Sequence, residues 1–208
     1  VLGKPFLHWL IKRLCTQNIS RFLILTGYKA SMIEEYFGDG SKFGIFISYS
    51  HEDSPLGTGG ALWAASELLE HEFLYVNGDD YQEIDYTELV DAFHSQNVLA
   101  MVAACEDSYG LLEIDKKTKF VTRFTANNGP YLPYLDCGTK VFKKSVLNLL
   151  SLKPPFNLES SLWPELIQRN QLALFHISSK AQGIDTPEKL NHFTRWLKTT
   201  NQILPIKS

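Results

Sequence analysis

Phe73-Leu-Tyr-Val-Asn-Gly-Asp-Asp80 decides how the rest of the chain is read. The apolar run Phe73–Val76 has the length and composition of a buried strand. Asn77-Gly78 ends it with a turn signal, and Asp79 and Asp80 follow at once. Ligands of open α/β sheets gather outside the carboxyl ends of the strands. Carboxylates at such an end suit a hard cation such as magnesium, which takes one or two of them together with substrate phosphates. The competing reading is that the Asp pair only closes a strand and makes a turn, because Asp is a common turn residue.

On the N-terminal side, Pro5 suits the first position of a helix whose apolar face is Phe6, Leu7, Leu10, Ile11 and Leu14. A strand is expected over 21–26, a helix over 30–37 stopped by Gly38 and Gly40, and a strand over 44–49. Leu56-Gly-Thr-Gly-Gly-Ala-Leu62 then leads into a helix carrying Leu62, Ala65, Leu68 and Leu69. On the C-terminal side come a helix marked by Leu89, Val90 and Phe93 and a strand over 98–105. Strand and helix alternate to this point, the signature of βαβ units around a parallel sheet. After Cys105 the pattern changes. Leu111–Ile114 and Phe120–Phe124 flank the polar Lys116-Lys-Thr118 as a hairpin. Strand segments 131–135 and 139–142 surround Asp136-Cys-Gly138. Short helices near 145–150 and 162–169, a strand over 172–177 and a last helix opening at Thr186-Pro-Glu complete the chain. The expectation is one domain over residues 1–208: a parallel half, 1–105, that holds a nucleotide, and a mixed half, 106–208, that holds a second substrate.

The totals exclude several classes. Twenty basic and 23 acidic side chains give a net charge of −3, no footprint for nucleic acid or for an anionic membrane. The longest apolar run, 98–105, is far too short to span a bilayer. Three widely spaced cysteines, Cys15, Cys105 and Cys137, fit reduced thiols in a cytoplasmic protein. The six histidines show no metal-ligand spacing, and no serine sits in a Gly-x-Ser-x-Gly elbow.

Each candidate site has a structural alternative. The glycines of Gly57-Thr-Gly-Gly60 would let a ligand approach the backbone at a helix start, or would only make a tight connection. The loop is neither the dinucleotide fingerprint, since the third glycine would fall at Leu62, nor a P-loop. Asp185 or Thr186 reads as an N-cap, with Glu188 completing a capping box, yet a capping carboxylate can also ligate a metal. Asp136 and Glu159 read on their own as caps or solvated groups.

In order, these pieces resemble the sugar-phosphate nucleotidyltransferases over nearly the whole chain. Gly3-Lys-Pro-Phe-Leu7, Gly27-Tyr-Lys-Ala30, Ile33–Gly38, Pro55–Leu62, Asn77-Gly-Asp79, Tyr109-Gly110, Val121–Phe124, Asp136-Cys-Gly138 and Phe156-Asn-Leu-Glu159 carry the resemblance. The wording is most similar to the branch that makes nucleotide-activated heptose or mannose, often with GTP. The resemblance implies an α/β, Rossmann-like nucleotidyltransferase fold with a mixed, mainly parallel central sheet flanked by helices. It implies nucleotidyl transfer from a nucleoside triphosphate to a sugar 1-phosphate, with pyrophosphate released. Asp79 and Asp185 would hold magnesium as the catalytic pair. Gly57, Thr58, Gly59 and Gly60 would meet the nucleotide, and Gly110, Asp136 and Glu159 the sugar.

The sequence also differs from the family pattern. Asp136 replaces the usual Asn, and Ala126-Asn-Asn stands where the family has Glu-Lys-Pro. The late Asp-Ile-Gly-Thr-Pro motif reads Gly183-Ile-Asp-Thr-Pro187, so the carboxylate lies two residues later. That version resembles the cytidylyltransferases of acidic sugars. In the family an opening strand and a Gly-rich triphosphate loop come before the Gly3 region. With Val1 as the start, the expectation is slow turnover and an exposed sheet edge open to homo-oligomerisation. The alternative from another class is a catalytically silent binding or regulatory domain, or a fragment of such an enzyme.

Overall fold

The computed structural model describes residues 1–126, 129–150 and 153–200. Asn127 and Asn128, where a family lysine was sought, lie outside these residues.

The chain begins with α1 (Phe6–Cys15), β1 (Arg21–Thr26), α2 (Ala30–Phe37) and β2 (Phe46–His51). Next come α3 (Gly57–Ala64), β3 (Glu72–Val76), the short β4 (Asp80–Tyr81) and α4 (Tyr86–Gln96). The second half holds β5 (Ala100–Gly110), β6 (Leu112–Ile114), β7 (Val121–Phe124), β8 (Leu132–Lys143), α5 (Leu158–Gln168), β9 (Leu172–His176), β10 (Gln182–Gly183) and α6 (Pro187–Thr199).

The central sheet runs β7-β6-β8-β5-β9, with β3 pairing the opposite end of β8 from β6. Strand β8 lies antiparallel to both β3 and β5, while β9 runs parallel to β5. Hence β3, β5 and β9 share one direction, as alternating βαβ units require. The mixed sheet between helices is as expected, but its ladders are less parallel than the alternation implied. A single long strand from the second half has entered between β3 and β5. That strand was read as two segments, because Asp136-Cys-Gly138 interrupts its apolar pattern. Gly138 (φ +80°) instead lets the strand continue through a register shift opposite Ala103 and Ala104.

Strand β1 pairs in parallel with β2 as a separate two-stranded sheet. Its Phe22 and Leu25 still pack on the same two cores as β3.

The two faces of β5 make those two cores. Ala100, Val102 and Ala104 face Leu62 of α3 and Leu158, Leu162, Trp163 and Leu166 of α5. Met101, Ala103 and Cys105 face Leu10 and Leu14 of α1 and Leu89 and Phe93 of α4. The near-continuous apolar run over 98–105 follows from burial on both faces. A third cluster packs Phe193 and Leu197 of α6 on Phe6, Trp9 and Tyr81. Tyr81 directly follows Asp80, so this cluster fixes the start of α6 beside the end of β3. Among the described residues no helix is long and apolar enough to cross a membrane.

Candidate active site

The end of β3 is held by the turn Asn77–Asp80. The Asn77 backbone N–H donates to Gly138 O at 2.8 Å, and Asn77 Nδ2 donates to Asp80 Oδ2 at 3.0 Å. Asp80 continues as β4, pairing antiparallel with Gly183 of β10, and Ile184 N donates to Asp79 O at 3.2 Å. The strand end thus carries the late motif alongside it. A Cβ placed on Gly183 would lie 3.2 Å from Asp80 Oδ1 and 3.3 Å from Asp185 Oδ1. The Asp of the Asp-Ile-Gly-Thr-Pro pattern aligns with this position, and here two neighbouring carboxylates flank it instead.

Asp79 is exposed at this end, and Asp80 is half-buried. Burial pushes the Asp80 carboxyl above its usual range; the Asn77 amide opposes this, and Asp79 adds to it. Asp185 is not the helix cap. Thr186 is, its Oγ1 accepting from Lys189 N at 3.3 Å. Both carboxylate oxygens of Asp185 instead accept from Lys189 Nζ, at 2.8 and 3.1 Å, and that ammonium holds its pKa below the usual value.

The β8 segment adds the next charges. Asp136 Oδ1 accepts from Gly138 N at 2.8 Å. Lys140 Nζ lies 3.0 Å from Asp136 Oδ2 and 3.1 Å from Glu159 Oε1. Glu159 reaches this point from the first turn of α5, whose cap is Asn157, with Oδ1 accepting from Ser160 N at 2.9 Å. Neither Asp136 nor Glu159 is a helix cap. Sequence reading missed Lys140, although one signal was available: a lone lysine between Thr139 and Val141-Phe142 in an apolar strand.

The Gly-rich stretch forms the first turn of α3, where a loop was expected. Gly57 and Thr58 are exposed; Gly59 and Gly60 are buried. The N–H groups of Gly59 and Gly60 both point at Phe156 O, at 3.1 and 3.3 Å, and Thr58 Oγ1 accepts from Leu158 N at 3.0 Å. A Cβ on Gly59 would stand 2.5 Å from the Phe156 ring. Gly59 and Gly60 thus clear space for the chain segment leading into α5, the tight connection that the sequence also allowed. Gly110 is likewise buried, opposite Leu132 on β8, and its missing side chain admits the β8 backbone.

Asp79, Asp80, Asp136, Glu159 and Asp185 thus surround one strand end, with Lys140 and Lys189 as counter-charges. Such an excess of hard oxygen donors fits a divalent cation whose remaining positions are filled by phosphate oxygens and water. Among the described residues no group of three or more His, Cys, Asp or Glu is arranged to hold a metal by itself. A site completed by substrate phosphates does not need one.

An acidic strand end beside a Gly-rich helix start, on this mixed sheet, is the build of a nucleotidyltransferase, and the chain belongs to the family described as Nucleotidyl transferase, which it matches over residues 1–186. Nucleotidyltransferases of this family generally use a divalent metal. It is 31% identical over 160 residues to the D-glycero-alpha-D-manno-heptose 1-phosphate guanylyltransferase of Campylobacter jejuni, covering 76% of this chain and 71% of that protein. It is 28% identical over 194 residues to the mannose-1-phosphate guanylyltransferase of Mycobacterium tuberculosis, covering 89% of this chain. The chain spans only 54% of that enzyme's length. The structure of HddC from Yersinia pseudotuberculosis complexed with GMP-PN superposes with a TM-score of 0.78. The match has 24% identity and covers 94% of this chain and 86% of that one, a likeness of fold.

Proposed function

We propose that the protein transfers a nucleotidyl group from a nucleoside triphosphate to a sugar 1-phosphate, with guanosine triphosphate and a manno-configured sugar as the first pair to test. The observation that carries this reading is the convergence of Asp79, Asp185 and the Asp136–Lys140–Glu159 cluster at one strand end, beside the exposed start of α3. Gly57 and Thr58 face the nucleotide. Asp136 and Glu159 accept hydrogen bonds from sugar hydroxyls, in a wall shaped by the close β5–β8 approach at Gly110.

A phosphate oxygen of the sugar 1-phosphate attacks the α-phosphorus in line. The new P–O bond forms as the bond to the β-phosphate bridge breaks, and pyrophosphate leaves with that electron pair. No protein nucleophile is required, since positioning and charge neutralisation supply the catalysis. Asp79 and Asp185 are the residues that would hold magnesium, which would neutralise phosphate charge when bound. At Asp185 this exchanges one cation, Lys189, for another. The free thiols Cys15, Cys105 and Cys137 suit a cytoplasmic setting.

The test is a matrix of nucleoside triphosphates against sugar 1-phosphates, read as pyrophosphate release by the full-length protein, with and without magnesium. Release that requires both substrates, and that Asp79→Asn reduces by about a hundredfold or more, is expected. Magnesium-dependent nucleotide binding without release from any pair would make the protein a binding module instead.

A further inference from the structure

Lys140 is buried in β8 with its side chain 1% exposed, whereas its partners Asp136 and Glu159 are 19% and 22% exposed. Glu159 and the outer part of Asp136 thus reach the crevice, while Asp136 Oδ2 and the ammonium beneath it are buried. Its third neighbour is Tyr75 of β3, whose ring centroid is 5.4 Å from Nζ and whose hydroxyl burial pushes up to about 12. Beyond these, Asp79 and Asp80 are the nearby charges at the strand end.

An ammonium in this place is not explained by stability. Burying an ion pair costs desolvation that an apolar residue of similar volume avoids. What lysine adds is control over its partners. Two carboxylates drawn this close would repel, and one would tend to take a proton. Burial on its own would lower the Lys140 pKa, but Asp136 and Glu159 carry it above the usual value. The lysine stays charged; burial raises the Asp136 carboxyl's pKa, and the charge of Lys140 and the hydrogen bond from Gly138 N oppose that rise. Asp136 is further fixed by Gly138 N, and Glu159 by the first turn of α5.

We propose that Lys140 is a positioning residue for the acceptor. It clamps Asp136 and Glu159 at fixed spacing, as a pair of acceptors for hydroxyls of a neutral sugar ring. The net charge of −1 on the three side chains disfavours a ring that carries its own carboxylate. This rests on the sugar 1-phosphate reading above. It separates the protein from enzymes of acidic sugars, which its Gly183-Ile-Asp-Thr-Pro187 wording resembles.

The experiment uses the full-length protein, magnesium and guanosine triphosphate. The acceptor is mannose 1-phosphate or D-glycero-manno-heptose 1-phosphate, whichever the wild type uses, and mannuronic acid 1-phosphate is its acidic counterpart. Lys140→Met should raise KM for the neutral acceptor by about tenfold or more while KM for the nucleotide stays put. Asp136→Asn keeps the lysine and removes one negative charge. It should narrow the preference for the neutral over the acidic ring by about tenfold. An unchanged acceptor KM in Lys140→Met, or an unchanged preference in Asp136→Asn, overturns the inference. If Lys140→Met does not fold, Asp136→Asn decides alone. No turnover of any sugar 1-phosphate by the wild type removes the underlying reading, and this inference with it.

Discussion

Gly138→Ala perturbs the strand end at its most constrained point. Gly138 has φ +80°, which costs a residue with a Cβ about 1–2 kcal/mol. The added carbon would also stand 2.5 Å from Asp80 Oδ2 and 3.0 Å from Asn77 Nδ2, well inside contact distance. Those two atoms are hydrogen-bonded to each other at 3.0 Å, so relief of the clash means loss of that bond, worth about 1–2 kcal/mol. A total destabilisation of about 2–4 kcal/mol is expected, with Asp80 displaced. At about 2–4 °C per kcal/mol for a chain of this size, Tm should fall by about 5–15 °C. Gly78→Ala is the control, since Gly78 has no atom within 4 Å of an added Cβ and does not have a positive φ. It should stay within about 0.5 kcal/mol of wild type. The assay is thermal and urea unfolding of both variants in parallel. A Gly138→Ala protein as stable as Gly78→Ala would refute the claim that the Asp80–Gly138 approach shapes this end of the sheet.

Gly59→Ala should cost about 1–3 kcal/mol through overpacking against Phe156, measurable as a lower urea midpoint; a wild-type midpoint would mean the α3–α5 approach is looser than described. Thr186→Ala should cost about 1 kcal/mol as a lost cap, while Asp185→Ala stays within about 0.5 kcal/mol of wild type; the reverse order would return the cap to Asp185. The Cys137 thiol, pushed up to about 12 by burial first and by Cys105 beside it, is protonated at pH 8 and should resist a thiol reagent until the protein unfolds. Rapid labelling of native protein at Cys137, located by peptide mapping, would contradict that burial.

Much of the fold was legible because its cause is local. The strand 21–26 and the helix 30–37 follow from an apolar run and from glycine stops, and both fall where expected. The hairpin was legible in Lys116-Lys-Thr118, where Asp115 Oδ1 accepts from Lys117 N and Thr118 N at 2.9 and 2.8 Å. The place of β8 between β3 and β5 was not legible, because it depends on pairing across about 20 to 70 residues of chain, for which no local pattern exists. At the site, the acidic strand end was visible in Asn77-Gly-Asp79. The purpose of the glycines was not: a glycine that admits a ligand and one that admits Phe156 have the same spelling. Lys140 was passed over because only the tertiary fold brings Glu159 within reach of β8.

The contact between α3 and the segment before α5 bears on any attempt to retarget the protein. Phe156 O receives two N–H groups from the α3 start, and Leu158 N binds the Thr58 hydroxyl. Glu159 is the very next residue. Residues 57–60 and 156–159 therefore behave as one mechanical part, although a hundred residues of sequence separate Thr58 from Leu158. A library that varies either stretch alone would mostly return proteins with a strained joint. One that varies both together can move the joint as a unit, and changes made on its two sides should combine non-additively.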